Sequence, residues 1–179
     1  HGTCGAASLE YTILQNNIGD FTKIIADLSI NEKSVLRDKS ELKAAPSSLN
    51  FHKGDKTSDG SSESRIDSDI IFQSAVMQRV RLTPFTTYDV AADNSDLKSV
   101  LTGNSAANPW SLSSLAESIT GKKFETRTKD FISNSTKNDL VKDVESGKNV
   151  IALINNAQHY VTVTILAIKD NKVTYRDSA

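Results

Sequence analysis

A chain of 179 residues with 21 basic against 22 acidic side chains and a formal net charge of -1 is long enough to bury a core as one domain over residues 1–179, and it carries no field that would gather nucleic acid or an anionic membrane. Its one cysteine excludes an internal disulfide and a thiolate zinc site of the usual kind. No apolar run approaches the roughly 18 residues of a membrane helix, and no signal-peptide layout opens the chain, so the expectation is a soluble domain without metal, cofactor, nucleic-acid or membrane partner, both of whose ends read as cut from something longer.

The first helix runs from about Gly5 to Gln15, with Ala6, Leu9 and Ile13 at helical spacing. Asn16-Asn17-Ile18-Gly19 stops it, and a second helix follows through Ile24, Ile25 and Leu28 with Asp20 or Thr22 as its cap. Ile30 to Leu42 mixes charges with a few aliphatics and reads as another short helix. From Lys43 to Asp69 the composition turns polar, so this stretch reads as a flexible insertion, without fixed structure and remote from the core. Helical spacing returns from Asp69 to Arg81, then over Asn94–Leu101 and Ser111–Thr120, whereas Phe124–Thr128 is β-prone. After a helix over Ser135–Val144 stopped by Gly147 come three strands, Val150–Ile154, Tyr160–Ile168 and Val173–Tyr175, separated by the turn pairs Asn155-Asn156 and Asp170-Asn171. Helices first and a compact antiparallel sheet last define an α+β domain.

Cys4 stands one residue before the first helix, where the helix dipole and free N–H groups favour a thiolate. Gly5 beside it lets a substrate carbonyl approach, and the Cys4 N–H can face a developing oxyanion. His159 opens the longest β-type run, and Asp177 ends the strand after it, 18 positions on. Nucleophile, base and orienting acid are the three parts that thiol hydrolysis needs. One geometric condition follows. If Asp170-Asn171 is a tight turn, Asp177 faces Thr164 and His159 lies five residues, roughly 16 Å, farther along, so either a bulge, a wider loop or strong twist brings them together or the orienting residue is not Asp177.

Gly2-Thr3-Cys4-Gly5-Ala6-Ala7-Ser8-Leu9 resembles the helix-opening cysteine segment of the papain-like superfamily, most of all its bacteriocin-processing peptidases. Leu140–Leu153 resembles the helix, glycine and strand that lead to the histidine in that branch, while Gln158-His159-Tyr160-Val161-Thr162-Val163 and Val173-Thr174-Tyr175-Arg176-Asp177 resemble its histidine and acid strands. The resemblance implies a papain-like fold, a Cys4–His159–Asp177 triad, a protein or peptide substrate and a bacterial effector or toxin context. Two departures accompany it: Cys4 and His159 are 155 positions apart, which implies an elaborated middle, and only His1-Gly2-Thr3 stand ahead of the cysteine where the family usually has the glutamine that completes the oxyanion hole, so that donor is either cut away or supplied from elsewhere.

Each singled-out residue also has a plain structural reading. Cys4 fits a small buried apolar position, Asp177 a hairpin-end carboxylate, Gln158 a strand-start polar group rather than an oxyanion donor, and Trp110 a loop anchor rather than a cleft wall. His1 and His52 read as solvated, and the carboxylates as caps and solvated faces. Three functions stay open: a cysteine peptidase or isopeptidase, a glutamine deamidase or transglutaminase using the same triad, and a non-catalytic binding module, because one scaffold hosts all of them.

Overall fold

The computed structural model describes residues 3–80, 87–92, 109–124, 134–155, 160–170 and 172–177. It is an α+β structure: among these residues there are five α-helices, α1 (Cys4–Asn16), α2 (Ile18–Asn31), α3 (Asp67–Val80), α4 (Pro109–Thr120) and α5 (Asn134–Glu145), and two small antiparallel sheets. The expected helix over Asn94–Leu101 and most of the β-prone Phe124–Thr128 lie outside the described residues.

The core sits among the first four helices. Ala6, Leu9 and Ile13 of α1, Ile24 and Leu28 of α2, Phe72, Ala75, Val76 and Val80 of α3, and Leu112, Leu115 and Ile119 of α4 join one buried cluster, so the apolar positions seen at helical spacing do face inward. Phe21 and Phe72 meet with ring centroids 5.3 Å apart in a tilted arrangement that suits the quadrupoles of both rings. Asn17 separates α1 from α2: its extended φ of -160° breaks the helix, and its side chain accepts the N–H of Asp20 at 3.3 Å. The cap is therefore Asn17, not Asp20 or Thr22, because the two helices are joined by this one residue.

Ile30–Leu42 is not a helix. Ile30 and Asn31 finish α2, Glu32 turns left-handed at φ 58°, and Lys33–Val35 (β1) pairs with Glu41–Lys43 (β2) in a short ribbon. The turn is held by Asp38, whose carboxylate accepts both the N–H and the hydroxyl of Ser40, and Leu42 is fully buried beneath it. Local turn chemistry and one buried leucine override a weak helical pattern.

The polar stretch from Lys43 to Asp69 likewise departs from the expectation of a segment without structure, remote from the core. Ala44 and Ala45 belong to the core, Leu49 and Phe51 pack against it, and Pro46–Asn50 forms a 3-10 helix. Beyond it the chain folds into a polar ribbon in which Gly54 N–H donates to Glu63 O, Glu63 N–H to Asp55 O and Thr57 N–H to Ser61 O, each at 2.9–3.0 Å. Reciprocal hydrogen bonds order this ribbon where apolar burial is scarce.

The second sheet has the order β3–β4–β5, made of Val150–Asn155, Tyr160–Lys169 and Lys172–Asp177. Asp170, left-handed at φ 50°, starts a two-residue turn that closes the pair Lys169↔Lys172. An irregularity between Ile165 and Ala167 then shifts the register, so that Asp177 pairs with Val163 rather than with Thr164. Helix α1 packs on β4, and α5 packs on β4 as well.

Candidate active site

Small side chains bring α1 onto the sheet. Gly5, Ala6 and Ser8 are buried in the first two turns, and two hydrogen bonds join helix to strand: the Ser8 hydroxyl donates to Thr162 O at 3.2 Å, and the Thr164 hydroxyl to Ser8 O at 3.4 Å. A residue with a larger side chain at position 8 would push the backbones apart. At the head of the same helix the Thr162 N–H donates to Cys4 Sγ at 3.4 Å. Cys4 itself is neither fully buried nor fully exposed.

Thr162 follows His159 by three residues. His159 and Gln158 lie outside the described residues, in the four-residue connection between the paired ends Asn155 and Tyr160. Asp177 ends β5 opposite Val163, one position beyond Thr162. The described framework thus brings Cys4 together with the strand that continues from His159; the tight turn and the one-residue register shift leave Asp177 opposite Val163, four positions along the sequence from His159. Trp110 is not a core anchor: in the first turn of α4 it is 59% exposed, beside a shallow recess lined by Arg79, Ser111, Ser114 and Leu115. Gly5 lies buried in α1 next to the sulfur-bearing residue.

Beside Cys4 lies a polar network that the sequence did not suggest. Arg65 grips Glu63 through two hydrogen bonds, Nη2 to Oε2 at 2.6 Å and Nε to Oε1 at 3.0 Å, with side chains 10% and 0% exposed. Arg65 Nη1 also donates to Thr3 Oγ1 and to Gln73 Oε1, both at 3.3 Å, and Gln73 Nε2 donates to Glu10 Oε2 at 2.7 Å. Burial pushes the Glu10 carboxyl up to about 8, with Asp69 adding to the rise and the Gln73 bond and Arg65 charge opposing it. For Glu63 burial also acts upward, but the Arg65 hydrogen bonds and charge outweigh it and hold the carboxyl below its ordinary value. One sequence signal for this network existed: Glu10 interrupts the otherwise apolar and small face of α1. The Glu63–Arg65 spacing in a loop offered none.

Among the described residues no group of three or more His, Cys, Asp or Glu side chains is placed to hold a metal ion, and no helix is long and apolar enough to cross a membrane. Comparison of the chain with family models, curated proteins and solved structures finds no match.

Proposed function

We propose that the chain is a papain-like cysteine hydrolase that acts on an amide bond of a protein or peptide, with Cys4 as nucleophile, His159 as general base and acid, and Asp177 as the residue that orients the imidazole. The observation that carries this reading is the contact of Cys4 Sγ with the Thr162 N–H. It docks the only thiol of the chain on the strand that His159 precedes, and three residues of chain reach at most about 10 Å. In the reaction the Cys4 thiol gives its proton to His159 and its sulfur attacks the carbonyl carbon. The C–N bond breaks as His159 returns the proton to the leaving amine, and water hydrolyses the thioester. The first-turn N–H groups and the dipole of α1 favour the oxyanion of each tetrahedral intermediate.

The test is incubation of the purified protein with a mixture of denatured proteins, followed by mass spectrometry, beside the Cys4→Ala variant. New chain ends that depend on Cys4 support a peptidase. A deamidation mass gain with intact chains redirects the same triad to glutamine side chains. No Cys4-dependent change, together with a thiol inert to iodoacetamide, leaves a binding module.

A further inference from the structure

Glu10, the only carboxyl group of α1, is 5% exposed and lies beside Ala6, Leu9 and Ile13 of the core. A chain of polar contacts leads from it to the loop. Gln73 of α3 donates Nε2–H to Glu10 Oε2 at 2.7 Å and accepts Arg65 Nη1 on Oε1 at 3.3 Å, so this amide cannot turn over without losing both bonds. Arg65 in turn is held by Glu63, whose carboxylate accepts its Nε, its Nη2 and its backbone N–H. These contacts join α1, α3 and the end of the polar ribbon. Asp69 faces Glu10 from α3 and favours its protonated form by charge and by hydrogen bonding, whereas the Arg65 charge opposes this. From the other elements packed on α1 come the apolar core side chains of α2 and α4, the neutral Thr164 of β4 and, over the neighbouring Tyr11 ring, Arg176 of β5.

The ribbon is the part of this assembly that yields most easily. Of residues 52–64 only Thr57 and Glu63 are buried, so hydrogen bonds rather than apolar area keep it closed, and segments of that kind open before the core does. We propose that the cluster is a proton-operated latch: with the proton on Glu10 the ribbon stays closed on α1 and α3, and loss of that proton favours a state with the ribbon opened and Glu10 in water. An ionised Glu10 stands beside the Asp69 carboxylate in a buried site, while the Arg65 guanidinium is already engaged by Glu63. Closed, Glu10 titrates at about 8, and opened it returns to its ordinary 4.5, so the opening equilibrium rises with pH across that interval and levels off above it. The latch is independent of Cys4 and of the hydrolase reading.

The test is amide exchange of the intact chain and of Glu10→Gln from about pH 5.5 to about pH 8, each rate expressed as protection against an unstructured peptide, so that the intrinsic pH dependence of exchange cancels. The readout is the N–H groups of Gly54, Thr57 and Glu63, whose acceptors are Glu63 O, Ser61 O and Asp55 O. His52, whose ring meets Asp67 at 3.1 Å, is present in both proteins, and the comparison cancels its contribution. Wild-type protection at the three sites is expected to lie below that of α3 and to fall against Glu10→Gln by up to about tenfold for each pH unit, the slope for one proton released per opening. The Leu36 and Lys39 N–H groups of the β1–β2 turn open without exposing Glu10 and are expected to keep a constant ratio. Asp69→Asn supplies a second reading if Glu10→Gln does not fold: a neutral neighbour lets Glu10 ionise at lower pH, and the fall in protection then levels off earlier. A ratio at Gly54, Thr57 and Glu63 that does not change with pH overturns the latch. So does protection there equal to that of α3 throughout, which makes global unfolding the only opening that reaches Glu10, and so do wild-type and Asp69→Asn profiles that coincide.

Discussion

The backbone N–H of Thr162 meets the sulfur of Cys4 at 3.4 Å across 158 positions of sequence. That single bond joins the head of the first helix to the central strand of the last sheet. Cys4→Ser keeps an acceptor for this bond and loses the soft nucleophile, so it is expected to fold and melt like wild type while forming no acyl-enzyme. His159→Ala is expected to lose activity to the same level as Cys4→Ala, because thiol activation and leaving-group protonation both vanish. Asp177→Ala should fall by roughly 10²–10⁴-fold and still exceed Cys4→Ala, since the acid acts through the imidazole. Acetylation rates with p-nitrophenyl acetate measure all three, and full activity of His159→Ala would remove the proposed base.

Glu10 makes stability depend on pH. Its folded value of about 8 lies above the ordinary 4.5, so between these pH values the folded chain holds a proton that the unfolded chain releases. The contribution is fully present below about 4.5 and is lost as pH rises through about 8. Glu10→Gln keeps a neutral group beside Gln73 and is expected to gain stability over wild type as pH rises across this window, by an amount on the order of a few kcal/mol at most. Denaturant midpoints at several pH values measure it; parallel pH profiles of the two proteins would contradict the raised carboxyl.

The Glu63–Arg65 pair is expected to be strongly non-additive. Arg65→Met alone strands a buried carboxylate and should cost about 3–5 kcal/mol, whereas the paired Glu63→Gln, Arg65→Met change should cost much less. A double-mutant cycle from urea unfolding gives the coupling directly. Additive losses would mean that the two side chains do not depend on each other.

Phe72 is fully buried and packs against Phe21, at the meeting of α2 and α3. Phe72→Ala is expected to cost about 3–5 kcal/mol through lost transfer energy and the cavity left behind. A loss under about 1 kcal/mol, typical of surface positions, would place this ring outside the core.

The ribbon within Lys43–Asp69 should be visible to amide exchange. The N–H groups of Gly54, Thr57 and Glu63 have backbone acceptors at 2.9–3.0 Å, so their exchange is expected to be at least about tenfold slower than in an unstructured peptide of the same sequence. Exchange at the peptide rate would return this stretch to the flexible insertion that its composition suggests.

What was legible beforehand followed from periodicity. Leu9 and Ile13, three and seven positions after Ala6, marked the inner face of α1, and the alternation around Val163 marked β4, because burial of one face repeats along an element. The turn at Asp170-Asn171 was legible for the same local reason. What escaped depends on partners far apart in the chain. Nothing near Ser34 or Leu42 announces that a ribbon will cover a helix bundle there, and counting apolar groups in Lys43–Asp69 misses order that comes from polar groups satisfying one another. The docking of Cys4 on Thr162 could be expected only in outline, from the helix on the sheet. The Thr3–Arg65 contact spans 62 positions and leaves no periodic trace.

The irregularity between Ile165 and Ala167 divides β4 into two lengths with different duties. Before it, Val163, Thr164 and Ile165 are buried in succession; at it, Leu166 is 46% exposed, and beyond it the strand continues paired with β5. Because pairing on the two sides of the step is offset by one residue, the end of β5 is carried one position nearer to Thr162 than an unbroken ladder would place it.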